Sequence, residues 1–112
     1  GGFAHVWSEL ETAKRHGIGV IVLVMNNEVL GYQLHAEEAG LGDHTDACDL
    51  EPVDHAAIAE ACGVKGIRIH QPDQIAGALA DAISVDGPVV IDCMVDANAM
   101  PPVPVFARLE NY

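Results

Sequence analysis

The stretch Ile18 to Met25 (IGVIVLVM), closed by Asn26-Asn27, constrains the fold more than any other feature of the chain. An unbroken apolar run rich in β-branched residues lacks the period-two alternation of a strand with one wet face. It suits a strand covered on both faces, as in a parallel sheet. It is also far below the roughly 20 residues that a membrane-spanning helix needs. Lys65 to His70 (KGIRIH) and Pro88 to Val95 (PVVIDCMV) repeat the character, which gives three predicted strands.

Helical patterns separate these runs. Ala4 to His16 places Val6, Leu10 and Ala13, with Phe3 and Trp7, on one stripe and ends at Gly17. A short helix is expected over Gln33 to Ala39, followed by a polar, irregular stretch from Asp43 to Val53. Asp54 is a natural N-cap for His55 to Cys62, with Gly63 as the stop. Pro72 is placed to open a helix that runs through Ile83. Strands that alternate with helices predict an α/β fold, an open and mainly parallel sheet with flanking helices, in one domain over residues 1–100. The edge of the first strand is expected to be covered by a partner or by further sequence. Pro101, Pro102 and Pro104 predict an extended C-terminal arm over residues 101–112.

Charge narrows the function. Seventeen Asp and Glu against five Lys and Arg give a net charge of −12. Nucleic acid and anionic membranes need clustered positive charge, so neither is an expected partner. An anionic cofactor would have to be held by backbone N–H groups, a helix N-terminus or a metal ion. The three cysteines are odd in number and lack a C-x-x-C spacing, which suits free thiols in a reducing, cytoplasmic setting. Cys62 and Cys93 are expected in the core, and Cys48 in a more exposed loop.

Ligands of open parallel sheets bind beyond the carboxyl ends of the strands. This rule points to Asn26 to Gly31, His70 to Pro72, and Asp96 onward. Paired amides offer neutral oxygens of the kind that hard Mg²⁺ accepts. On spacing alone, Asn-Asn reads more readily as a turn that ends a strand. Gly1-Gly2-Phe3 before a helix adds a second element, because a glycine turn there can admit a phosphate closely. His35, His44 and Asp46, with Glu37 or Glu38, lack the compact spacing of a metal helix.

Gly1-Gly2-Phe3, the helix bearing Glu9 to Ala13 (ELETA), and Val20 to Asn27 (VIVLVMNN) with Gly31-Tyr32 together resemble the cofactor motif of one enzyme family. It is the family of thiamine-diphosphate enzymes of the acetolactate synthase type. That motif runs Gly-Asp-Gly, some two dozen residues, then Asn-Asn; here 24 residues separate Gly1 from Asn26. The resemblance continues through Asp54 to Gly63, Lys65 to Ile69 and Gly87 to Asp96, so it covers most of the chain. It implies a partial thiamine-diphosphate-binding fold with thiamine diphosphate and Mg²⁺ as cofactors. By position, Asn27 would give a side-chain oxygen and Val29 its backbone carbonyl to the metal. Gly1 and Gly2 would lie against the diphosphate, and Gly31 would permit close approach of the backbone.

The motif's aspartate, its one anionic metal ligand, would precede Gly1 and is not in this sequence. Metal and cofactor affinity of residues 1–112 alone is therefore expected to be weak, and the chain, which opens on Gly1 rather than Met, reads as part of a larger protein. In the family a glutamate from a separate pyrimidine-binding domain of a neighbouring subunit activates the cofactor, so no catalytic acid or base is named here. By position, Gln33 or His35 would face substrate or cofactor. The expected activity is decarboxylation of a 2-oxoacid such as pyruvate followed by carboligation, in a homo-oligomer, with simple decarboxylation close behind. Other readings are a free-standing α/β module for a different phosphate ligand, or a non-catalytic interaction domain.

Overall fold

The computed structural model describes residues 1–99, so the expected arm over 101–112 lies outside the described residues. The chain divides into two compact units. A sheet unit comprises Gly2 to Asn26 and Val53 to Val95; among the described residues a loop-helix unit comprises Gly1, Asn27 to Pro52 and Asp96 to Ala99.

The sheet unit holds α1 (Glu9–Arg15), β1 (Ile21–Asn26), α3 (His55–Ala61), β2 (Lys65–Ile69), α4 (Ile75–Ser84) and β3 (Val89–Met94). The loop-helix unit holds α2 (Gly31–Leu41) and a 3-10 turn at Asp46–Cys48. All strand pairings are parallel and the order is β1-β3-β2, so the last strand in the chain is central. The α/β architecture, an open parallel sheet with flanking helices, is as the apolar runs indicated.

β3 earns the central place by composition. Val89, Val90 and Ile91 are all but fully buried. Burying each such side chain contributes about 1.5–3 kcal/mol. Side-chain alternation sends them to opposite faces. Val89 and Ile91 join Ile69, Ala78 and Ala82 beneath α4, whereas Val90 joins Leu10, Ala59 and Val64 beneath α1 and α3. Gly66 makes the second packing possible. A Cβ there would meet the Ala56 carbonyl oxygen and lie 2.7 Å from the Ala56 carbonyl carbon, so β2 approaches α3 at backbone distance.

Four expectations need correction. The apolar run of β1 is not covered on both faces. Val22 and Val24 pack beneath α1 and α3, but Ile21, Leu23 and Met25 are 41%, 54% and 61% exposed. The physical reason is strand order: β3 and β2 hold the positions beneath α4, and β1 lies at the edge. The predicted helix from Ala4 to His16 is instead a 3-10 turn (Gly2–Val6) followed by the short α1, and Val6 is exposed. The helix expected from Pro72 begins as a 3-10 turn (Pro72–Gln74) before α4. Cys48, expected to be exposed, is fully buried. The Asp54 cap, by contrast, forms as expected, accepting the Ala57 N–H at 2.8 Å.

Candidate functional site

In the loop-helix unit the chain reverses at Glu28, whose φ of 60° puts a non-glycine residue in the left-handed region. Such a conformation costs about 1–3 kcal/mol and survives only where its surroundings enforce it. Here Leu30 N–H donates to the Cys48 carbonyl at 2.8 Å and Leu50 N–H to the Glu28 carbonyl at 3.1 Å, closing an antiparallel bridge between Val29 and Asp49. Val29 N–H lies 3.4 Å from Asn27 Oδ1. The reversal thus brings the Asn27 side chain against the Val29 backbone.

Gly31 opens α2 directly behind that side chain. A Cβ at this position would stand 2.8 Å from Asn27 Nδ2 and 4.0 Å from Val29 Cγ2. A Cβ at Gly1 would stand 3.0 Å from Leu30 Cδ2. Gly1, Val29 and Gly31 line one open cleft of about 680 Å³ together with Leu30, Tyr32, Gln33, Glu37 and Ala47.

Glu37 organises the far wall. It accepts from Gln33 Nε2 at 2.7 Å, Thr45 N–H at 2.7 Å, Thr45 Oγ1 at 3.0 Å and Cys48 Sγ at 3.5 Å. These donors, Gln33 foremost, hold its carboxyl well below the usual range, at about 2. Burial, with the adjacent Glu37 carboxylate, pushes the Cys48 thiol up, so this cysteine is a poor nucleophile. Gln33 lines the cleft. His35 does not, and its Nδ1 lies 3.5 Å from Glu38 Oε2. Among the described residues no three His, Cys, Asp or Glu side chains converge as a metal set.

Gly2 belongs to the sheet unit, at the head of the first 3-10 turn, with open space where a Cβ would project. That turn is held by a ring cluster absent from the sequence reading. Trp7 Nε1–H donates to His55 Nδ1 at 3.1 Å, and the Phe3 ring meets the His55 ring edge-on at 5.5 Å between centroids. The two asparagines part company. Asn26 is buried, donates from Nδ2 to the Val53 carbonyl at 3.0 Å, and accepts the Val95 N–H at 2.9 Å. It therefore ties together the carboxyl ends of β1 and β3 and the approach to α3.

Beneath α3, Asp92 is fully buried on β3 and accepts the His55 N–H at 3.0 Å. Arg68 Nε lies 3.7 Å from Asp92, while its Nη1 lies 3.2 Å from Asp54. The Ala57 N–H first, and Arg68 in addition, hold the Asp54 carboxyl below its ordinary value. Nothing in the sequence distinguished these residues from an ordinary strand and helix start.

Within the loop-helix unit the donors present fit a hard cation. Asn27 and Val29 offer neutral oxygens of the type Mg²⁺ accepts, and Gly31 leaves the space that the Asn27 amide fills. Gly2 leaves its own backbone approachable.

Residues 1–93 match the family described as thiamine pyrophosphate enzyme, C-terminal TPP binding domain. The chain is 38% identical over 104 residues to the thiamine pyrophosphate-containing protein YdaP of Bacillus subtilis, covering 93% of this chain and 18% of that protein. It is 35% identical over 97 residues to an acetolactate synthase of Bacillus subtilis, covering 86% of this chain and 17% of the relative. The crystal structure of benzoylformate decarboxylase from Polynucleobacter necessarius superposes with a TM-score of 0.80 at 24% identity, over 88% of this chain and 19% of that one. The chain thus spans less than a fifth of the length of these proteins. With residues 1–93 matching this family and relatives of 35% and 38% identity over most of the chain, the chain belongs to the thiamine pyrophosphate enzymes, as a C-terminal TPP-binding domain sequence.

Proposed function

We propose that this chain is the diphosphate- and Mg²⁺-binding part of an enzyme that decarboxylates a 2-oxoacid, pyruvate for example, and ligates the product to an acceptor. The carrying observation is the loop from Asn27 to Gly31. A left-handed Glu28 and a side-chain-free Gly31 set the Asn27 amide and the Val29 backbone side by side. Asn27 Oδ1 and the Val29 carbonyl are the proposed metal ligands. Gly1 and Gly2 are the proposed diphosphate contacts through their backbone N–H groups, with Gly31 giving close access to the backbone. Because the first turn is a 3-10 turn rather than a long helix, individual N–H groups rather than a large helix dipole must offset the phosphate charge.

When bound, thiamine diphosphate supplies the electron sink for loss of CO₂. The residues of this chain bind and orient it, and none is assigned as its acid or base. Gln33, on the cleft wall, is the proposed neighbour of substrate or cofactor. The pyrimidine-binding domain is expected from another part of the protein, in a homo-oligomer. Three free cysteines support a reducing, cytoplasmic setting.

The test is to express the complete gene product and follow CO₂ release and carboligation product from pyruvate, with and without thiamine diphosphate and Mg²⁺. Cofactor-dependent release with a C–C bonded product is the expected result. Release of CO₂ with only the aldehyde formed would replace carboligation by simple decarboxylation. Failure to bind the cofactor would overturn the reading.

A further inference from the structure

Trp7 is the single tryptophan of the chain, and its indole N–H is spent on the buried face of a histidine. The acceptor, His55, is 7% exposed and is the first residue of α3. Its backbone N–H is fixed by Asp92, so the ring projects from a point anchored to the central strand. Both aromatic side chains around the first turn converge on it. Trp7 follows the turn and sits tilted at 5.6 Å between ring centroids; Phe3 lies within the turn and meets the ring edge-on. Neither aromatic residue is held by a regular α-helix, because residues 2–6 form only a 3-10 turn, the weaker and shorter helical form. The turn that begins at Gly2 thus depends on side-chain anchoring for its conformation.

A Nδ1 acceptor must be an unprotonated nitrogen, so the Trp7 bond requires the neutral ring. Burial pushes the His55 pKa below its ordinary value, although Asp92 pulls the other way, and the net direction favours the neutral ring. The neutral ring is therefore a stable acceptor rather than a charge.

We propose that His55 is a positioning residue for cofactor binding: through Trp7 Nε1 and the Phe3 ring it holds the Gly2 turn in the conformation that meets the diphosphate. The inference rests on the reading of Gly2 as a diphosphate contact. His55 acts through the turn and takes no part in the reaction.

The experiment compares wild type, His55→Ala, His55→Gln and Trp7→Phe in the complete enzyme, measuring the dissociation constant for thiamine diphosphate at saturating Mg²⁺ and kcat at saturating cofactor. His55→Ala should raise the dissociation constant about tenfold and change kcat less than twofold. Glutamine keeps an acceptor for the indole, so His55→Gln should recover most of the affinity. Trp7→Phe removes the donor but keeps an aromatic ring, and should weaken binding about three- to tenfold even if His55→Ala does not fold. Unchanged cofactor affinity in folded His55→Ala, or in Trp7→Phe, overturns the proposal, as does a loss of kcat without a loss of affinity. A wild-type enzyme that does not bind thiamine diphosphate at all overturns the reading of Gly2 itself, a result separable from these.

Discussion

Gly31→Ala should separate metal binding from stability. The added Cβ would stand 2.8 Å from Asn27 Nδ2, whereas carbon-sized contacts relax near 3.5–4.0 Å, so the amide must retreat by roughly 0.7 Å. The obstacle is the end of a short side chain rather than backbone, so the strain is released by rotating Asn27. An amide is rigid, and its Oδ1 moves with Nδ2. Mg²⁺ tolerates only about ±0.2 Å around its ligand distances. The displacement is several times that tolerance, and the expected loss is on the order of 10- to 100-fold in Mg²⁺ affinity, as for other disturbances of ligand placement. Gly31 has no positive φ, and alanine favours a helix over glycine by up to about 1 kcal/mol. Apoprotein stability should therefore hold or rise slightly. The assay is Mg²⁺ titration of the complete enzyme by calorimetry with thiamine diphosphate present, beside a urea unfolding curve of the apoprotein. A Mg²⁺ dissociation constant within twofold of wild type, with unchanged stability, would refute the placement of Asn27 as a ligand held against Gly31.

Three further outcomes are expected. Gly66→Ala forces a side chain onto the backbone of Ala56 and should destabilise by about 3 kcal/mol or more, seen as a lower urea midpoint; a change under about 0.5 kcal/mol would mean that β2 does not pack at backbone distance on α3. Asp92→Ala leaves the His55 N–H without its buried acceptor and Arg68 without its buried counter-charge, and should cost about 3 kcal/mol, whereas a neutral result by thermal unfolding would rule out a structural role for this carboxylate. Glu37 is depressed to about 2 in the fold, so its contribution to stability is complete above the unfolded value of 4.5 and is lost as pH falls through about 2. Glu37→Gln should flatten that part of the stability–pH curve, and an unaltered slope would show that the hydrogen bonds from Gln33 and Thr45 do not set it.

Much of the architecture was legible because strands and helices carry different apolar periods. The cap at Asp54 and the left-handed stops at Gly17 and Gly63 follow from local chemistry that needs no tertiary information. The face of β1 was misjudged for the opposite reason. A continuous apolar run reports a strand's composition, but which neighbour covers it depends on strand order, and no local pattern encodes that β3 inserts between β1 and β2. Cys48 was misplaced likewise: its polar neighbours Thr45, Asp46 and Asp49 suggested exposure, yet the bridge at Val29 and the Glu37 bonds bury it. At the site, spacing alone left Asn26-Asn27 as a turn. Only the resemblance carried by the ordered set of segments implied a metal role for Asn27, and the separate task of Asn26 needed coordinates. The partnership of Trp7 with His55 joins residues 48 apart and has no sequence signature.

Having its central strand last has a consequence for how this region is born. As the chain emerges during synthesis, Ile21–Asn26 and Lys65–Ile69 have no ladder partner among the described residues until Val89–Met94 has appeared. The ladder that joins them is thus completed last, and a strand short of a ladder partner is open to wrong pairing. A ribosome stalled or a message cut before residue 89 would release these two strands without the ladder partner that joins them.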